Sequence, residues 1–278
     1  MSTILAPSCV LLPGFDKPFS DEEEAAFFAS LHQSNGTTRM TSRRRLDDVN
    51  AAIATHLPTV STLEVLDAGI SSGISSLEWL LSLDLLGHRR TMTAFDRVLS
   101  ARLFRIGRLQ MLAEREGHVL LIHTGWNALT RPVRKTASWR NRIVRAAFRI
   151  GDTTAYLGGV ARAGREVLLV SWRLSSRSDV RLMERDIFNP APDWIGRFHV
   201  VRVANLLNRS YFPEATLRLG LENACSWVRP GGLIAVARTE SDGRNDATVF
   251  RRDAKGFTVA VRVGAGSEVE TLVSSFAP

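Results

Sequence analysis

The 278 residues are 45% hydrophobic and 23% charged, enough apolar matter for one large α/β domain with insertions or two smaller ones, and unlike a disordered chain. Two cysteines, Cys9 and Cys225, are too few for a disulfide framework or a metal cluster, so no metal is expected; no run approaches the roughly 18 apolar residues of a membrane span, so a soluble, cytoplasmic protein is expected. The net charge of +8 is partly concentrated in Arg131, Arg134, Lys135, Arg140, Arg142, Arg145 and Arg149, a stretch without Asp or Glu that fits either an anionic partner or a solvated face.

Residues 1–20 carry prolines and no clear period. Residues 21–32 and 45–57 read as helices, the first opening on Ser20 as a cap with acids in its first turn. This gives a helical lead-in over residues 1–60. Residues 62–69 read as a strand entering a small-residue turn. Residues 75–86 follow as a helix with Leu77, Leu80, Leu81 and Leu85 on its apolar side, and residues 91–95 as a second strand finishing at Asp96. The order is then harder to follow. Residues 103–112 and 118–123 flank a hairpin turn at 114–117, and residues 138–150 form a basic helix with Trp139, Ile143, Ala147 and Ile150 at helical spacing.

A strand with acid Asp186 near its end reappears over residues 180–187. Residues 199–207 form a near-continuous apolar strand of the kind buried in a parallel sheet, 213–228 a helix with proline in its first turn, and 232–238 another buried strand. Residues 247–252 and 257–263 around Asp253-Ala-Lys-Gly256 read as an antiparallel hairpin closing the sheet edge.

The chemistry is carried first by Asp67-Ala68-Gly69-Ile-Ser71-Ser-Gly73 between a strand and a helix. Small residues there let a ligand approach the backbone, and the helix start offers N–H groups to it, as a nucleoside-bearing ligand requires. A purely structural tight turn is the plainer reading. The pattern resembles the first motif of class I S-adenosylmethionine-dependent methyltransferases, Asp-x-Gly-x-Gly-x-Gly, with Ser71 in place of the middle glycine. The resemblance implies a Rossmann-like methyltransferase sheet, mostly parallel with an antiparallel C-terminal hairpin, S-adenosyl-L-methionine as cofactor, and contacts to it from Asp67, Ala68, Gly69, Ser71 and Gly73.

Asp96, followed by Arg97, lies where that family carries an acid accepting from both ribose hydroxyls; the alternative is a helix cap. Glu184-Arg-Asp186-Ile187-Phe188 resembles the third motif, which implies that Asp186 and Ile187 border the adenine; a surface-turn acid competes. The stretch from Phe198 through Asn205, Tyr211 and Pro213 is similar to the fourth motif, distantly like the chemotaxis-receptor carboxyl methyltransferases. It implies Asn205 near the methionine part or the reacting group, against a strand-end asparagine bonding backbone.

The resemblance covers residues 45–98 and 180–263. Residues 99–179 are expected to form an insertion in a methyltransferase-like domain spanning 61–278, covering the active site and choosing the acceptor. The implied function is methyl transfer to an unidentified acceptor, with no base named by the sequence. The alternatives are a non-catalytic methyltransferase-like binding protein, or RNA or membrane-surface binding through the basic insertion with Trp126 and Trp139.

Overall fold

A computed structural model describes residues 20–32, 34, 43–106, 109–124, 128–131, 139–157 and 164–276. In chain order these form α1 (Asp21–Ser30), α2 (Asp47–Ala54), β1 (Leu63–Ala68), α3 (Ile74–Leu85), β2 (Arg90–Asp96), β3 (Ser100–Ile106), β4 (Leu109–Ala113), β5 (Val119–His123), β6 (Ala128–Thr130) and α4 (Trp139–Leu157). There follow β7 (Arg165–Leu168), α5 (Trp172–Ser175), β8 (Val180–Glu184), β9 (Phe198–Ala204), α6 (Glu214–Trp227), β10 (Val228–Thr239), β11 (Asn245–Asp253), β12 (Gly256–Val263) and α7 (Glu270–Ser274). They group into two compact units, one within Met1–Ser42 and Leu99–Ser171, the other within Arg43–Val98 and Trp172–Pro278.

The second unit is wound on a seven-stranded sheet of order β12-β11-β10-β9-β1-β2-β8. Strands β8, β2, β1, β9 and β10 are parallel, while β11 and β12 add antiparallel at one edge, as the hairpin pattern predicts. The Asp253 carboxylate accepts from Lys255 N at 2.7 Å and shapes that hairpin turn. The chain proceeds outward from β1 through β2 to β8 on one side and through β9 to β10 on the other. The winding therefore reverses between β1 and β9, and the crevice beyond their carboxyl ends is where an open α/β sheet binds ligands.

Alternation along the strands sends neighbouring side chains to opposite faces. Leu66, Ala68, Val201 and Val203 join α6 residues Leu217, Leu221 and Ala224 in one core cluster, with Phe95, Trp194, Phe198 and Trp227 meeting edge-to-face or tilted at ring separations of 5.2–5.8 Å. The alternate residues Asp67 and Arg202 are paired across β1 and β9 and meet α2 and α3 instead. Two sequence expectations shift here. The buried face of α3 comprises Ser76, Trp79, Leu80 and Leu83, while Leu81 and Leu85 are exposed, because Trp79 rather than the leucines is laid against the sheet over Arg202. Strand β8 stops at Glu184, since Asp186 turns the chain by accepting from Phe188 N at 3.0 Å.

The first unit holds a five-stranded antiparallel sheet of order β6-β5-β4-β3-β7, with the β4–β5 turn where the sequence places it. Helix α4 packs on it through Phe148 and Ala155 against Phe104, Met111, Val119 and Ile122. Gly151 lies on the same face, with room for a side chain: a Cβ there would make ordinary contact, 3.4 Å from Val119 Cγ2 and 3.5 Å from Met111 Sδ. Of the apolar set Trp139, Ile143, Ala147 and Ile150, Ala147 joins the packed face with Val144, Phe148, Gly151 and Ala155, whereas Trp139, Ile143 and Ile150 face outward. Trp126, Arg134 and Lys135 lie outside the described residues.

Candidate functional site

Strand β1 leaves the sheet through a turn whose residues alternate into the left-handed region: Gly69 at φ +71°, Ser71 at +54° and Gly73 at +76°. Glycine adopts such angles freely, whereas at Ser71 an L side chain costs about 1–2 kcal/mol, so the surroundings have to hold it. They do so through β2. Gly69 N and Ile70 N both donate to Phe95 O, at 2.8 and 3.2 Å, and Ser71 N donates to Asp96 Oδ2 at 2.7 Å. Gly73 then opens α3 as an N-cap without a side-chain capping bond, so the helix starts on backbone N–H groups.

Asp96 therefore shapes the turn as well as bordering it. Its Oδ1 takes a long contact of 3.4 Å from Val98 N, and each carboxylate oxygen keeps a further lone pair for a donor such as a diol. Arg97 beside it is exposed. Asp96 does not cap a helix: β3 follows it, and its bonds go to the turn ahead of α3 and to Val98 N.

Asp67 faces the interior. Its side chain is 3% exposed, and its oxygens accept from Arg202 Nε at 2.9 Å and Nη2 at 2.6 Å. Arg202 also donates to Asn50 Oδ1 on α2 at 2.7 Å and to Ser75 O in the first turn of α3 at 3.2 Å, and its guanidinium lies 4.5 Å from the Trp79 ring centroid. One buried guanidinium thus fastens β1, α2 and α3 around the turn. An arginine inside an otherwise apolar strand was the available signal for it, because a buried charge demands an opposite one nearby.

Asn205, at the end of β9, is also left-handed, at φ +56°. Its Oδ1 accepts from Thr239 N at 2.7 Å and its Nδ2 donates to Thr239 Oγ1 at 3.2 Å, clamping the ends of β9 and β10. Leu206, which follows, lies on Gly69: a Cβ built at Gly69 would come within 2.9 Å of Leu206 Cδ2. Glycine is required there by the leucine as much as by any ligand. Ala68 is buried, Ile187 belongs to the core beneath, and Asp186 is half-buried at its own turn.

The structure thus brings the turn, Asp96, Asn205 and Leu206 to the carboxyl ends of β1, β2 and β9, while Asp67 faces the other way into its ion pair. Burial pushes the Cys225 thiol far up, which disqualifies it as a nucleophile. Among the described residues no group of three His, Cys, Asp or Glu is placed to hold a metal ion, and no helix is long and apolar enough to cross a membrane.

No family model and no curated protein matches the chain. Among solved structures it is similar to the CMeT domain of the citrinin polyketide synthase, at 14% identity over 66% of this chain and 31% of that one, with a TM-score of 0.34. It is similar to the [4+2]-cyclase SpnF at 11% identity over 69% and 44% of the two chains, TM-score 0.32. It is also similar to the N-methyltransferase NodS from Bradyrhizobium japonicum in complex with S-adenosyl-L-homocysteine, at 12% over 77% and 71%, TM-score 0.35. The chain spans less than half the length of the first two. At these TM-scores the likenesses leave the reaction to be read from the site's own geometry.

Proposed function

We propose that the chain binds S-adenosyl-L-methionine beyond β1 and β2 and directs its methyl group to an acceptor. The observation that carries this is the bond from Ser71 N to Asp96 Oδ2, which joins a small-residue turn to an acceptor-only side chain at the point where the winding of a parallel sheet reverses. The donor set fits such a ligand. Asp96 retains acceptor capacity for a vicinal diol, α3 presents its amino-terminal N–H groups, and the Ser75 hydroxyl in its first turn is buried without a hydrogen-bond partner among the described residues.

Bound S-adenosylmethionine supplies an already activated methyl group, so the protein's work is placement. Asp96 holds the turn and accepts hydroxyl donors; Arg202 keeps Asp67, Asn50 and the first turn of α3 in register. Arg97, Asp186 and Ile187 stand on this reading as neighbours of the nucleoside. Acceptor choice falls to the chain that leaves β2 just after Asp96, where loops at strand ends carry specificity.

A second reading, a binding protein without turnover, is favoured by one observation: Asp67 and Asn205, two polar groups of the motifs, are both committed to internal partners. Calorimetric titration with S-adenosylmethionine tests the first requirement. The parent should bind, Asp96→Ala should lose about 1–3 kcal/mol of affinity, and Asp96→Asn, which keeps an oxygen for Ser71 N, should lose less. A parent that takes up no S-adenosylmethionine sinks the proposal. Binding without S-adenosylhomocysteine release across an acceptor panel selects the second reading.

A further inference from the structure

Helix α4 carries its apolar side chains on two arcs, and the sheet of its own unit covers one of them. At 100° per residue, Val144, Ala147, Phe148, Gly151 and Ala155 occupy the packed arc. Trp139, Ile143 and Ile150 fall within about 40° of one another on another arc, along about 16 Å of axis. They are 65%, 58% and 68% exposed. Three bulky apolar side chains in line on a solvent face carry a desolvation cost that scattered single residues do not.

Among the described residues of α4, the exposed charges beside this stripe have one sign. Arg142 and Arg149, seven residues apart and both exposed, flank it, with Tyr156 (75% exposed) continuing their row. The sole carboxylate in the helix is Asp152, and it is engaged by Arg131 and by Val119 N. Arg131, first of the basic run in the sequence, is thereby drawn inward, with its guanidinium also over the Phe148 ring at 4.8 Å. The net charge of +8 makes approach to an anionic surface favourable.

We propose that this face of α4 docks the protein on a bilayer surface containing anionic lipid, with Ile143, Ile150 and Trp139 entering the headgroup–acyl boundary and Arg142 and Arg149 at the phosphates. Aliphatic side chains decide between the anionic partners. A nucleic acid offers bases to stack on aromatic rings and phosphates to pair with arginine, but nothing apolar enough to cover two isoleucines, whereas the acyl boundary covers them. A helix of this polarity lies along a membrane; it does not cross it.

The test is cosedimentation of the full chain with vesicles of phosphatidylcholine alone and of equimolar phosphatidylcholine and phosphatidylglycerol, at low and high salt. The parent should bind the anionic vesicles much more tightly than the neutral ones. Arg142→Gln with Arg149→Gln should weaken binding about thirtyfold at low salt. Ile143→Ser with Ile150→Ser should remove the fraction that survives high salt, because apolar insertion is not screened. Brominated acyl chains should quench parent tryptophan fluorescence, and Trp139→Phe should abolish that quenching. Absence of binding to anionic vesicles, or equal binding by parent and both double variants, would overturn the proposal. So would RNA oligonucleotide binding that outcompetes vesicles and is lost in the arginine variant but kept in the isoleucine variant.

Discussion

Two places in the molecule invert the usual distribution of polarity, and they do so with opposite consequences. Arg202 lies 1% exposed in the middle of a strand, and Ile143 and Ile150 lie on the solvent face of α4. Around the arginine, Asp67, Asn50 and Ser75 take the guanidinium donors and Trp79 covers its plane. Around the isoleucines the neighbouring exposed charges are arginines. A buried charge whose hydrogen bonds close within one unit is architecture; an exposed apolar stripe rimmed by one sign of charge is a surface built for a partner. The lesson is to ask which groups answer an anomaly before assigning it a role.

The sharpest way to break this contrast is at Arg202. Arg202→Met leaves Asp67 buried without its counter-charge and should cost about 3–5 kcal/mol in denaturant unfolding, as should Asp67→Leu. The double variant should recover most of that loss, because two apolar groups need no counter-charge. Additive losses would show that the pair is not the closed unit described here.

On α4 the two arcs predict a large and a small effect in one helix. Phe148→Ala should cost about 3–5 kcal/mol through the cavity it leaves under the sheet. Ile143→Ser and Ile150→Ser should each change stability by no more than about 0.5 kcal/mol. Comparable losses at all three positions would mean that the outward stripe is packed after all.

The smallest expected effect concerns Glu78 on α3, half-buried beside α2. Burial pushes its carboxyl above the ordinary value of 4.5, against a compensating bond from Arg44 N at 2.8 Å. The folded chain therefore holds a proton there more tightly than the unfolded chain. Stability falls as pH rises through the window above 4.5 and stays reduced at neutral pH. Glu78→Gln should raise the melting temperature slightly at pH 7, with the gain vanishing below the ordinary carboxyl value. A gain that persisted in acid would point to packing and not to charge.

Much of the second unit was legible because period and punctuation agree. The strand ending at Ala68, the glycine turn, the strand ending at Asp96, the apolar strand carrying Val200, Val201 and Val203, and the hairpin at Asp253 all stand where their patterns put them. The place of Asp96 at a strand end was legible, but its bond to Ser71 N was not, since sequence holds no distance between residues 25 apart. Leu206 on Gly69 was hidden for the same reason. The first unit was hardly legible as a sheet: β3 mixes Arg102 and Arg105 with apolar residues, and β6 and β7 are only three and four residues long, too short for a period to show. Helix α4 was found but turned the wrong way, because its packed arc includes Gly151 and Ala155, small residues that do not announce a hydrophobic face.

The pairing of Asp67 with Arg202 spans 135 residues of chain, and this bears on how the protein is made. At about 5–20 residues per second, roughly 7–27 s of synthesis separate the two ends of that ion pair. Through that interval β1 can pair with β2 but has no β9, so the central strand of the sheet waits with one edge open and a carboxylate lacking its counter-ion. Local helices and the β1–β2 contact come early, and the sheet closes only when the later half of the unit has emerged. Slowing translation before codon 202 should therefore lower the yield of soluble protein more than slowing it after.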